Sequence, residues 1–128
     1  MGTINNLHDV RGMITFLPAK DLEKTHAFYH GFLGFPMSHD QGSCRIYLTP
    51  SGSIGFCTGY GNHTGMGVVC FVLDSREQVD SIYEKLKVQE PLLGISLVSQ
   101  PSHRPEFGIH QFYALDPEGN RIEFQCFL

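Results

Sequence analysis

The sequence predicts an α+β domain made of two β-α-β-β-β modules, their strands curved into a mixed sheet around an internal cleft with helices on the outer face. Three observations lead there. Patterned segments follow the order strand, helix, strands, and that order occurs twice. The chain has 128 residues, enough for one domain and short for two. Each half, at roughly 55–60 residues, is too small to bury one face of its own sheet, so the halves must pair.

Gly12–Asp21, "GMITFLPAKD", reads as a strand running into a turn, with Pro18 weakening its end because proline donates no ladder hydrogen bond. In "DLEKTHAFYHGFLGF" the apolar residues Leu22, Ala27, Phe28, Phe32 and Leu33 fall near helical spacing, and Gly34 suits a helix terminus. "CRIYLT" (Cys44–Thr49) and "SIGFCTG" (Ser53–Gly59) are strands joined by the hairpin residues Pro50-Ser51-Gly52. The glycine-rich "GYGNHTGMG" separates the halves. It lacks the GxxxxGK pattern of a phosphate cradle. "VVCFVLD" (Val68–Asp74) opens the second half as a strand. An amphipathic helix, Ser75–Lys87, follows, with Ser75 and Gln78 forming a capping box. "GISLVSQ", "IHQFYAL" and "RIEFQCF" are the remaining strands, and Pro101–Gly108 is an irregular loop. The expected layout is a single domain over 1–128: a first module at about 12–60, a linker at about 61–66 and a second module at about 67–128.

Composition narrows the functions. A hydrophobic fraction of 41%, with 10 Phe and 5 Tyr, supports a real core. A formal net charge of −4 and the lack of a Lys/Arg stripe argue against nucleic-acid binding. No apolar run is long enough to span a membrane. The polar N-terminus lacks the pattern of a secretory signal, so a cytoplasmic location is expected. Cys44, Cys57, Cys70 and Cys126 are widely spaced, without a CxxC pair, and are expected to be reduced. The sequon at Asn62 therefore carries no weight.

The module order, with "KDLEKTHAFYHGFLGF" after the first strand and "DPEGNRIEF" in the last hairpin, resembles the vicinal oxygen chelate superfamily. That superfamily includes glyoxalase I, bleomycin-resistance proteins, fosfomycin-resistance enzymes and extradiol dioxygenases. The resemblance runs from Gly12 to Phe127 and implies the glyoxalase/bleomycin-resistance fold, commonly as a homodimer. It also implies a divalent metal held by His, Gln or Glu from four equivalent strands. Transferred to this chain, those positions fall on Ile14, near Gly55, on Val68 and on Glu123. Only Glu123 can donate, and a catalytic site needs about three protein ligands. No metal ligand set and no cofactor are therefore expected. The metal-free, small-molecule-binding members are the nearer class.

Strand alternation sorts the cleft. If Glu123 faces it, so do Arg121 and Gln125, while Ile122, Phe124 and Cys126 face the helices. Tyr113, ten residues before Glu123 as in extradiol dioxygenases, and Gln111 share a face on the preceding strand. The other strands bring Ile14, Phe16, Val68, Cys70 and Val72. From "CRIYLT" either Arg45 and Tyr47 or Cys44, Ile46 and Leu48 point inward; the polar pair is assigned to the cleft because the apolar set suits the helix side. The expected ligand-binding set is Phe16, Arg45, Tyr47, Cys70, Gln111, Tyr113 and Glu123. Glu123 and Tyr113 are the candidate catalytic groups. The plain alternatives stay open: Glu123 pairs with Arg121 or Arg45, Tyr113 packs in the core, and Cys57 and Cys70 fill space rather than attack substrates. His26 and His30 are expected on the solvated side of the first helix. His103 and His110 are candidates for a lid.

The expected function is metal-independent binding of a drug or metabolite. The alternative is a lyase, isomerase or dioxygenase-type enzyme using Glu123 as acid/base, or as ligand of a metal completed by His103, His110 or a partner subunit.

Overall fold

The computed structural model describes residues 13–59 and 68–128, so the expected linker and its sequon lie outside the described residues. The first module comprises β1 (Ile14–Pro18), α1 (Leu22–His26) widening into a π-helical segment (Ala27–Phe32), β2 (Met37–Asp40), β3 (Cys44–Thr49) and β4 (Gly52–Cys57). The second comprises β5 (Val69–Val72), α2 (Arg76–Leu93), β6 (Ser96–Leu97), β7 (Ser102–Arg104), β8 (Ile109–Leu115) and β9 (Arg121–Phe127). The strands form two sheets, ordered β1-β4-β3-β2 and β5-β9-β8-β6, with β7 also on β8. In each module the first strand runs parallel to the last and lies at the sheet edge. The duplicated order is therefore a duplicated topology.

Local chemistry accounts for most of the elements. The Asp21 carboxylate caps α1 by accepting from the amides of Glu23 and Lys24 (3.0 and 3.2 Å). Ser75 caps α2 by accepting from Gln78 N, while Gln78 Oε1 accepts from Asp74 N. Three elements depart from the sequence reading. β2, "MSHD", is too polar to be read as a strand and forms because β3 offers it an edge. α2 continues beyond Lys87 to Leu93, with Pro91 tolerated in its final turn. "GISLVSQ" is not one strand: pairing with β8 breaks after Leu97 and resumes at Ser102, inside the stretch expected to be an irregular loop.

One apolar core joins the modules. Tyr29 of the π segment packs on Phe56 of β4 and on Phe71 of β5, with ring centroids 4.4 and 6.4 Å apart, and Phe71 continues to Phe124 and Phe112. Ile122, Phe124 and Cys126 are buried in this core, as their alternation with Glu123 requires. The four cysteines do not behave alike. Cys44 and Cys57, directly opposed on β3 and β4, form a disulfide, whereas Cys70 and Cys126 are free. The expectation of four reduced thiols is corrected for that pair, because register places their Cα atoms 4.1 Å apart.

The turn Asp116–Asn120 ties the modules together. Asp116 N donates to Asn120 O (2.8 Å) and Gly119, at φ +84°, takes the left-handed position that such a hairpin requires. The buried Asp116 Oδ1 accepts from the amides of Glu118 and Asn120 (2.9 and 2.8 Å). Its Oδ2 accepts from Asn120 Nδ2 (3.0 Å) and from the hydroxyl of Tyr29 across the module boundary (2.9 Å). Asn120 Nδ2 also reaches the Pro18 carbonyl (3.3 Å), and Glu118 accepts from Asp21 N. Burial and the adjacent Asp116 carboxylate push the Tyr29 phenol well above its ordinary range, so it remains a donor. Asp116→Ala leaves four donors without this acceptor and should lower unfolding free energy by about 3 kcal/mol, whereas Tyr29→Phe should cost about 1 kcal/mol. Urea denaturation of both variants checks the difference; equal losses would show that the shared carboxylate is not the clamp.

Candidate functional site

Glu123 lies in the middle of β9 between Cys70 of β5 and Tyr113 of β8, each its directly paired neighbour. Gln111 and Gln125 form the next pair along the same face. The structure thus brings together Glu123, Tyr113, Cys70 and Gln111, four of the residues expected to line the cleft. Glu123 is only 9% exposed, yet among the described residues it forms no ion pair. Neither arginine considered as its partner reaches it: Arg121 is exposed, and Arg45 pairs with Glu23 at 2.6 Å. Burial, the Glu123 charge and a hydrogen bond to that carboxylate together push the Cys70 thiol up to about 12. Cys70, although solvent-exposed, is therefore held as a thiol beside Glu123 and not as a thiolate nucleophile.

Arg45 and Tyr47 are not part of this site. On β3 the parity is the reverse of that assigned: Tyr47 is fully buried in the helix-side core and holds His26 Nδ1 at 2.8 Å, while Arg45 extends to Glu23 and the Leu22 carbonyl. Cys44, Ile46 and Leu48 occupy the other face. The physical reason is that the core accepts the long polar residues: the Tyr47 hydroxyl and the Arg45 guanidinium both find partners on α1. His110 also faces inward, toward α2, where Nε2 meets Asp80 Oδ1 at 2.8 Å, so it is not a lid residue. His103 is exposed on β7. His26 and His30 stack at 4.6 Å, their Nδ1 atoms engaged by Tyr47 and by the Phe35 carbonyl.

Phe16 lies on the other sheet, directly opposite Gly55, with its ring folded over that residue. A Cβ at position 55 would meet the ring at 2.6 Å. The pairing Phe16–Gly55 is the first-module counterpart of Cys70–Glu123, each a first strand running parallel to a last strand. Where the second module presents a carboxylate, the first presents a glycine covered by an aromatic ring. Of the positions at which the resemblance implies metal ligands, Ile14 and Val68 have no lone pair and Gly55 has no side chain. Among the described residues no group of three His, Cys, Asp or Glu side chains is placed to hold a metal. The donor set does not fit a chelated divalent ion.

Sequence reasoning missed Ser99. The break between β6 and β7 falls opposite Tyr113, whose carbonyl accepts from both Val98 N and Ser99 N (2.9 and 3.3 Å). Ser99 Oγ in turn accepts from Tyr113 N at 2.9 Å, replacing the missing strand carbonyl. Such irregularities re-aim side chains beside functional sites. The Pro101 that follows was the available signal. A cavity of about 720 Å³ lies between the β3–β4 turn and β5, with Ile54, Phe71, Ile82 and Phe124 among its walls. Phe71 and Phe124 alternate with Cys70 and Glu123, so these walls belong to the helix side of the sheet and Glu123, Tyr113 and Gln111 do not line it. Cys70 borders both this cavity and Glu123.

The family signature of the Glyoxalase/Bleomycin resistance protein/Dioxygenase superfamily matches residues 11–124. The chain belongs to this superfamily. Solved structures of similar fold include a glyoxalase/bleomycin resistance protein/dioxygenase family enzyme from Burkholderia phytofirmans PsJN, at 23% identity and TM-score 0.74, covering 90% of this chain and 97% of that one. A genomically encoded fosfomycin resistance protein, FosX, from Listeria monocytogenes aligns at 20% identity and TM-score 0.74, covering 91% and 92%. A superfamily protein from Alicyclobacillus acidocaldarius aligns at 18% identity and TM-score 0.71, covering 98% and 96%. No functionally curated protein matches the chain. At these identities the likeness concerns fold, and membership of the superfamily leaves its varied chemistries open. Ser99→Ala should cost about 1–2 kcal/mol by orphaning the Tyr113 amide. Faster hydrogen exchange at Tyr113 than at Ala114 in that variant checks the assignment, and unchanged exchange refutes it.

Proposed function

We propose that this superfamily member binds a small molecule without a metal, at the face formed by Glu123, Tyr113, Cys70 and Gln111. The observation that carries the reading is the occupancy of the family's ligand positions: Ile14, Val68 and a ring-covered Gly55 offer nothing to a cation. The protein also has, on the helix side of β5, a largely apolar cavity of about 720 Å³ bordered by Cys70, within the range of roughly 300–1,000 Å³ typical of small-molecule sites. Cys70, held neutral, favours binding over nucleophilic chemistry.

Metal analysis of protein purified without chelators should find no stoichiometric Zn, Ni, Fe or Mn. A metal present in the wild type and lost in Glu123→Ala would overturn the reading. In a thermal-shift screen of metabolites and antibiotics, fosfomycin and bleomycin included, at least one compound should raise Tm, with a smaller rise in Glu123→Gln. Silence from every compound would refute small-molecule binding.

The same proposal includes a homodimer. Ile14 and Phe16, each 46% exposed on β1, leave apolar surface uncovered, and β1 and β5 both have free edges. Light scattering should give about twice the monomer mass of 14.4 kDa; a monomer at all concentrations would remove this part of the reading.

A further inference from the structure

Among the described residues no Lys, Arg or His pairs with the Glu123 carboxylate. The groups facing it are a thiol (Cys70), a phenol (Tyr113) and two amides (Gln111, Gln125), with Arg121 exposed on the same strand and in no ion pair among the described residues. A carboxylate this far removed from water normally has a cationic or multiple-donor partner, because desolvation disfavours it otherwise. A second orphan lies on the same face. Gln111 is 1% exposed and its Oε1 has no hydrogen-bond partner among the described residues. Native proteins leave few such atoms, and each one calls for an explanation.

Both orphans are acceptors. An anionic ligand would place like charges together, and an ether or ketone would leave both acceptors unfilled. A group carrying positive charge and several N–H donors satisfies both at once. Resting on the small-molecule reading above, we infer that the Glu123 face selects ligands bearing a protonated amine, amidine or guanidinium. The charged nitrogen donates to the Glu123 carboxylate, with Gln111 Oε1 as a second acceptor along the same face, and Tyr113 forms a wall for the attached apolar body.

Benzylamine, benzyl alcohol and benzoate separate charge from shape, since all three present one ring and one polar end. Titrations followed by amide chemical shifts should perturb Cys70, Tyr113 and Glu123 with benzylamine, at a Kd about tenfold or more below that of benzyl alcohol. Benzoate should not bind there. The isosteric Glu123→Gln should bring the amine and the alcohol to within about twofold of each other. The inference is overturned if the alcohol or benzoate binds as well as the amine, or if the preference survives in Glu123→Gln. The wild-type comparison needs no variant, so it decides even if Glu123→Gln fails to fold. Equal binding of amine and alcohol at these residues would sink the cation preference and leave the small-molecule reading standing. No perturbation by any of the three would sink both.

Discussion

The buried Asp116 carboxylate is the constraint on which the rest of the structure depends. It closes its own hairpin, accepts the side chain of Asn120 and receives the Tyr29 hydroxyl from the opposite module. Two modules of this size cannot each cover a sheet face, so their mutual orientation has to be set by something more directional than apolar burial. Burial raises the Asp116 carboxyl above its ordinary range even against four hydrogen bonds that lower it, a sign of how dry the junction is. Because β9 starts immediately after this turn, the clamp also sets where Glu123 emerges along its sheet.

The modules share a topology and differ in what they present at equivalent places. Phe16 beside Gly55 and Cys70 beside Glu123 occupy matching positions on matching strand pairs. In the first module an aromatic ring seals the position with apolar contact; in the second a carboxylate is sheltered by a neutral thiol and a tyrosine. At these matching positions the second module carries an acidic side chain and the first a glycine under an aromatic ring. The strand break at Val98–Pro101 belongs to the same arrangement, since Ser99 secures the backbone of the tyrosine that pairs with Glu123.

Much of this was legible from residues alone. Duplicated order, the amphipathic period of α2, the cap at Ser75 and the turn at Asp116–Asn120 all follow from local rules, because each depends on neighbours close in the chain. The face occupied by Glu123, Cys70, Tyr113 and Gln111 was legible too. Alternation within β8 and β9 is unambiguous where Ile122, Phe124 and Cys126 stand opposite the acid. Alternation failed on β3. "CRIYLT" does offer an apolar set in Cys44, Ile46 and Leu48, but it turns away from the helix layer because α1 supplies partners for Tyr47 and Arg45.

What the chain's residues settle by themselves is the architecture, the superfamily and the lack of side-chain donors at Ile14, Gly55 and Val68, since these depend on order and identity. Three-dimensional packing alone decided that Tyr47 and Arg45 turn toward the helix, that Cys44 and Cys57 bond, and that Glu123 forms no ion pair among the described residues. Each of those turns on distances between segments far apart in sequence, and no local pattern encodes how such segments meet.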